Sequence, residues 1–177
     1  GMPKYKNKAE SMCSDAQSLI VMSPLLSEGI TKQLTETPRQ TAGITRKASL
    51  SPSIYNRFQF VYVPIEELMD NEILEEADKT VEEKRDLHAN IFFKSCYDGN
   101  FLYLGSLNAS ANAFYHNVEF MLKLKYKPYY ASFQSVLNDF VPETSCPFER
   151  INAVPEDNPI ADNEESMDKL SDVIAAL

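Results

Sequence analysis

The sequence predicts an α/β fold in which a mixed central β-sheet is flanked by helices on both faces, and three features carry that expectation. The run "SLIVMSP" (18–24) is short, apolar and rich in branched residues, the composition of a strand covered on both sides. It passes directly into "SEGITKQLTET" (27–37), where a Ser-led start and helical spacing follow the strand without a long loop. Further on, "LHANIFFKS" and "FLYLGS" are both β-like and are joined by "CYDGN", whose Asp-Gly pair marks a hairpin and so an antiparallel pair of strands.

In chain order, residues 4–17 set Ala9, Met12, Cys13 and Ala16 at helical spacing and read as a polar helix. Pro24 stops the first strand, and Pro38 ends the helix after it. "AGITRKA" (42–48) reads as a second strand and the alternating "RFQFVYV" (57–63) as a third. The acidic run 66–86 reads as a solvated helix or loop. After the hairpin, "SANAF" begins a helix. "NVEFMLKLK" (117–125) then sets Val118, Phe120, Leu122 and Leu124 on one face against Glu119, Met121, Lys123 and Lys125, the pattern of a strand. Residues 128–141 open with Pro128 at a first-turn position and carry apolar groups at helical spacing. Beyond Val141 the sequence turns Pro-rich and acidic, as linkers do. One domain is therefore expected over 1–141. Residues 142–177 are expected to form an acidic linker and a short amphipathic helix bearing Met167, Leu170, Val173, Ile174 and Leu177.

A chain of 177 residues with 44% hydrophobic content can bury a core without metal or disulfide support. No apolar run approaches the roughly 18 residues of a membrane span, and the Lys-rich start leads into polar sequence, so a cytoplasmic protein is expected. The three cysteines lack CxxC or Cys/His spacing, which argues against zinc and against a disulfide framework. The net charge of -9 is unevenly spread. Residues 142–177 hold nine acids and two bases, and residues 66–86 hold ten acids and three bases. The remainder carries seven acids and twelve bases and is mildly basic, which permits a phosphate-bearing substrate.

If residues 87–95 form a strand, His88, Asn90, Phe92 and Lys94 share one face. The strand after the hairpin delivers Gly105, Ser106 and Asn108 to a turn whose polar side chains and N–H groups suit an anion, and "NVEF" returns Glu119. The other histidine, His116, reads as a surface or helix-end residue. Tyr103, Tyr115, Tyr126, Tyr129 and Tyr130 read as core packing and groove walls rather than base-stacking groups.

These residues resemble the HKD signature of the phospholipase D superfamily: His, any residue, Lys, a spacer, Asp, six residues, then Gly-Ser-x-Asn. His88, Asp98 and Gly105-Ser106-Leu107-Asn108 fit it, with six residues between Asp98 and Gly105, and "NVEF" is similar to the family's Asn-x-Glu element. Two features depart from it. The spacer before Asp98 is three residues longer, and Asn90 stands where the family has lysine.

The resemblance implies a phospholipase D-like α-β-α sandwich and phosphodiester chemistry through a phosphohistidine, without metal or cofactor. His88 is then nucleophile or general acid, Gly105, Ser106 and Asn108 hold the phosphate, and Glu119 orients a histidine and favours its charged form. Asn90 supplies a hydrogen bond but no charge, a loss of about 3 to 4 kcal/mol in transition-state stabilisation. Lys94, on the same strand face, is the nearest candidate cation. The family needs two motifs per site and this chain has one, so a second half is expected from a homodimer or from upstream sequence of a longer protein. Lacking a lipidation motif or basic amphipathic face, the chain points to nucleic acid rather than phospholipid. A non-catalytic phosphate-binding or dimerisation module of a larger helicase or restriction-type protein is the competing expectation.

Overall fold

The computed structural model, which describes residues 12–13, 15–65, 87–128 and 131–154, grows outward from β1 (Ser18–Met22), a strand whose five residues are all buried. Covering on both faces is what its unbroken apolar run demands. From β1 the chain crosses through α1 (Glu28–Thr35) to β2 (Gln40–Ile44), and through a 3-10 turn (Lys47–Ser49) and α2 (Pro52–Tyr55) to β3 (Phe60–Pro64). These three strands are parallel, each joined by a crossover carrying helix. On the other side of β1 lies β4 (Asn90–Cys96), antiparallel to it, followed by β5 (Gly99–Gly105) and β6 (Met121–Lys125) in an antiparallel meander. The chain then returns through α3 (Phe133–Phe140) and adds β7 (Phe148–Arg150) beyond β3, giving a seven-stranded sheet ordered β6-β5-β4-β1-β2-β3-β7.

Two apolar layers pack on the sheet, one per face. The first joins Leu19, Val21 and Phe92 to Ile30 and Leu34 of α1, Ile54 of α2 and Phe114. The second joins Ile20, Met22, Ile44 and Phe93 to Phe133, Val136 and Leu137 of α3. Helices thus cover both faces, as expected. Phe92 and Phe93 are adjacent in sequence and point to opposite faces, so β4 supplies a fully buried ring to each layer. Each such ring contributes about 1.5–3 kcal/mol by burial.

Several boundaries differ from the sequence expectation, for local reasons. The second strand ends at Ile44, because Arg46 and Lys47 enter the 3-10 turn. The helix expected from Pro128 begins at Phe133, where the Ser132 hydroxyl accepts from the Ser135 N–H at 3.1 Å and supplies the cap. The sheet also takes in residues past Val141, where a linker was expected. Phe148 and Cys146 pack against the second layer, and the three residues of β7 are too few to show a period. The hairpin forms at Asp98-Gly99, with Gly99 at φ 133 as its turn requires. Most of the helix expected over 4–17, the acidic run 66–86, Tyr129 and Tyr130, and the amphipathic segment 167–177 lie outside the described residues.

Lys94 is not available as a substrate cation. It is 5% exposed, and its Nζ donates to Asp15 Oδ1 at 2.6 Å beyond the start of β1. The Lys94 hydrogen bond holds the Asp15 carboxyl below its ordinary value of 3.8. Burial pulls Lys94 down, but the bond to Asp15 and neighbouring charges outweigh it, and the ammonium ends above 10.5. The pair therefore stabilises the fold fully between 3.8 and 10.5; support is lost as pH falls through the folded value of Asp15 or rises through that of Lys94. Asp15→Asn is expected to lower stability by about 1–3 kcal/mol at pH 7, the cost of weakening the partner of a buried donor. Urea unfolding checks this, and the deficit should shrink below pH 3.8 and again above pH 10.5, the two sides on which the pair is lost.

Candidate active site

The carboxyl ends of β1, β2 and β5 and the amino end of β4 lie at one end of the sheet, as the strand directions require. The chain leaves β1 toward β2 on one side while β4 flanks it on the other. This is a topological switch point, where open α/β sheets bind ligands.

Ser23, directly after β1, organises this end. It is fully buried, and its hydroxyl faces the Leu25 carbonyl at 2.8 Å and the Asn90 Oδ1 at 3.1 Å as acceptors. The same oxygen accepts the Ala109 N–H at 3.0 Å. Asn90 in turn donates from Nδ2 to the Ser106 carbonyl at 3.1 Å. Both ends of its carboxamide are engaged, which makes it a strut between β1 and the Gly-Ser-Leu-Asn turn. That turn is fastened a second time where the Ser27 N–H donates to the Ala109 carbonyl at 2.9 Å, alongside a parallel bridge from Leu26 to Ala109.

Gly105 is dictated by a close approach. A Cβ there would stand 1.9 Å from the Phe120 carbonyl oxygen and 2.7 Å from the Met121 sulfur. With no side chain between them, the segments draw together: the Ser106 N–H donates to the Phe120 carbonyl at 3.0 Å and the Phe120 N–H to the Ser106 hydroxyl at 3.1 Å. The hydroxyl itself donates to Glu119 Oε2 in a short hydrogen bond. In this chain Glu119 is held by Ser106. Asn108 Oδ1 is buried without a hydrogen-bond partner among the described residues, an arrangement that costs free energy unless a donor reaches it.

His88 precedes β4, since the strand begins at Asn90 rather than at residue 87. The imidazole is exposed, at most about 7 Å along the chain from Asn90. Arg46, at the carboxyl end of β2, donates from Nη2 to the carbonyl of Leu87 at 3.1 Å. This sets a guanidinium against the peptide that leads into His88. Sequence reasoning missed both Arg46 and Ser23; polar residues just past the ends of two apolar strands were the available signal. Asn90, Gly105, Ser106, Asn108 and Glu119 meet at one end of the sheet with His88 on the approach. Lys94 lies four residues up β4, about 13 Å away. Asp98 sits at the hairpin tip, toward the opposite end of the sheet. Among the described residues no group of three or more His, Cys, Asp or Glu is placed to hold a metal ion. Nor is any helix there long and apolar enough to cross a membrane.

Comparison with solved structures finds this architecture in a phospholipase D family member, Nuc from Salmonella typhimurium. The TM-score is 0.51 at 13% sequence identity, over 82% of this chain and 88% of that one. NucT from Helicobacter pylori aligns with a TM-score of 0.42 at 16% identity, over 65% of this chain and 72% of its own. No protein-family model and no curated protein matches the sequence. The likeness to Nuc shows the fold: this chain has the α/β fold of the phospholipase D superfamily.

The node makes a stability prediction. Ser23→Ala leaves the buried Ala109 N–H and the Asn90 carbonyl oxygen without their partner. A loss of about 1–3 kcal/mol is expected in chemical denaturation, against a change of less than about 0.5 kcal/mol for the same substitution at an exposed serine such as Ser135.

Proposed function

We propose that this chain is one half of a phospholipase D-like phosphodiesterase acting on nucleic acid, with its rate held down by Asn90. The observation that carries the reading is the hydrogen-bonded chain of Asn90, Ser106 and Glu119 on a turn fastened to Ser23, with Asn108 in the same turn and an exposed His88 two residues before Asn90. Nuc, named as a phospholipase D family member, supports it through the shared fold.

In this reading a phosphodiester lies between His88 and the histidine of a second half. One imidazole attacks phosphorus and forms the P–N bond; the other protonates the departing oxygen as its P–O bond breaks, and water then cleaves the phosphohistidine. Ser106 and Asn108 receive non-bridging oxygens. When a phosphoryl oxygen takes the Ser106 hydroxyl proton as its hydrogen bond, Glu119 is released to accept from an imidazole. Such a carboxylate favours the charged ring.

The second half comes from another copy of this chain or from upstream sequence of a longer protein. An apolar stripe beside Glu119 supports that docking: Val118 and Phe120 are 103% and 71% exposed, and Leu122 and Leu124 continue the row along β6, whose outer edge has no strand partner among the described residues. The sequence pattern marked this row as one face of a strand, and the described residues leave it open. A second reading, a phosphate-binding half without catalysis, is favoured by the Asn90 carboxamide, whose two ends serve the fold rather than a substrate.

Restoring lysine separates the two readings. Asn90→Lys is expected to raise hydrolysis of a generic phosphodiester such as bis(p-nitrophenyl) phosphate by about 100- to 1000-fold, and to lower stability by removing the strut. Adding His88→Ala should abolish the gain. An Asn90→Lys protein that folds, assembles and remains inactive would establish the non-catalytic reading. Light scattering provides the companion test: if two copies form the site, the chain is a dimer and Phe120→Asp makes it a monomer.

A further inference from the structure

We propose that β5 and β6 carry a platform for single-stranded nucleic acid, formed by Phe101, Tyr103, Lys123 and Lys125 and leading to Ser106. The inference rests on the phosphodiesterase reading and adds to it the strand state of the substrate and the route by which it reaches the site.

The register places the platform. Across β5 and β6, Gly105 lies opposite Met121, Tyr103 opposite Lys123, and Phe101 opposite Lys125, and each such pair projects on one face of the sheet. Asn90 is paired with Gly105, so this is the face of the Ser23–Asn90 node. Tyr103 and Phe101 are half-exposed, and Lys123 and Lys125 are exposed. Tyr103 packs its inner side on the first apolar layer, which fixes the ring while leaving area open. Successive rows are about 6.8 Å apart along an antiparallel strand, close to the reach of one extended nucleotide. In the row nearest the turn β5 has glycine and the Met121 side chain of β6 lies over it, so the path from Tyr103 to Ser106 runs across Met121.

Aromatic rings interleaved with cations on an open sheet are what a single strand requires: bases stack on rings while lysines track the phosphates. The Lys123 ammonium already lies 4.2 Å from the centroid of Phe101 and 5.6 Å from that of Tyr103. A base arriving on the rings displaces that ammonium toward its own phosphate, so one contact is exchanged for two. Beyond Phe101 the path runs into a surface recess lined by Asp98, Asn100, Lys125, Lys127 and Pro128. Of the acids at this end among the described residues, Asp15 is held by Lys94, Asp139 is held by Lys127, and Asp98 sits on the hairpin tip beyond the rings. A duplex does not fit the same surface, because its bases are not free to lie on the rings.

The chain contains no tryptophan, so Tyr103→Trp introduces a single reporter. Titration with an oligo-dT strand is expected to quench it saturably, at the affinity measured by anisotropy of the labelled strand on the unsubstituted protein. Phe101→Leu should weaken that affinity by about 5- to 150-fold. Lys123→Ala should flatten the salt dependence of log affinity by about 0.7, as loss of one phosphate contact does and loss of packing does not. Strand binding with unchanged tryptophan emission and an unaffected Phe101→Leu would overturn the platform while leaving the phosphodiesterase reading intact. Absence of strand binding alongside Asn90→Lys hydrolysis of a small phosphodiester would overturn it equally. Strand binding and quenching without any hydrolysis would support the platform and contradict catalysis.

Discussion

The hydroxyl of Ser23 is the point on which this end of the molecule depends. It is buried at the carboxyl end of the central strand, and it joins three stretches far apart in sequence: the loop after β1, the start of β4 and the Gly-Ser-Leu-Asn turn. A buried hydroxyl must find partners, and this one finds them in segments that only the fold brings together. Asn90 extends the same network to Ser106, and Ser106 extends it to Glu119. A single chain of hydrogen bonds therefore runs from the core strand to the carboxylate at the sheet edge.

Placement of charge follows from this framework. Lysine at position 90 would bring a cation to the switch point, whereas asparagine fills the position with a neutral group that bonds at both ends. The lysine that β4 does carry, Lys94, is drawn to Asp15 at the far end of the strand, where a buried ammonium needs a carboxylate. Arg46 remains beside His88, its guanidinium donating to the Leu87 carbonyl. The Ser106 hydroxyl, the Asn90 carboxamide and the Glu119 carboxylate are joined by hydrogen bonds, and the Arg46 guanidinium is anchored to backbone.

Much of this was legible in the sequence, and the parts that were not have physical reasons. "SLIVM" announces a strand buried on both faces, and Asp98-Gly99 announces the hairpin, because each depends on local composition alone. That Asn90, Ser106 and Glu119 lie near one another follows from the strand readings and from the resemblance to the HKD signature. The partners of those groups were not legible. Ser23 is 67 residues from Asn90, and only the pairing of β1 with β4 brings them together. Lys94 shares a strand face with Asn90, so periodicity associates them, but burial beside Asp15 decides its role. The bond from Ser106 to Glu119 was not legible either, because it depends on the tight approach that Gly105 permits. The strand Phe148–Arg150 is too short for any period, and contact with β3 alone defines it.

The central claim is that His88, Ser106 and Asn108 form one anion site at the end of β1. Titration of isotope-labelled protein with inorganic phosphate, followed by NMR at the His88 imidazole, the Ser106 amide and the Asn108 carboxamide, tests it most directly. Shifts at all three that saturate with one common Kd, while the Lys94 ammonium is unmoved, are the predicted result. Saturable shifts confined to other residues, or different Kd values for the imidazole and the turn, would contradict it.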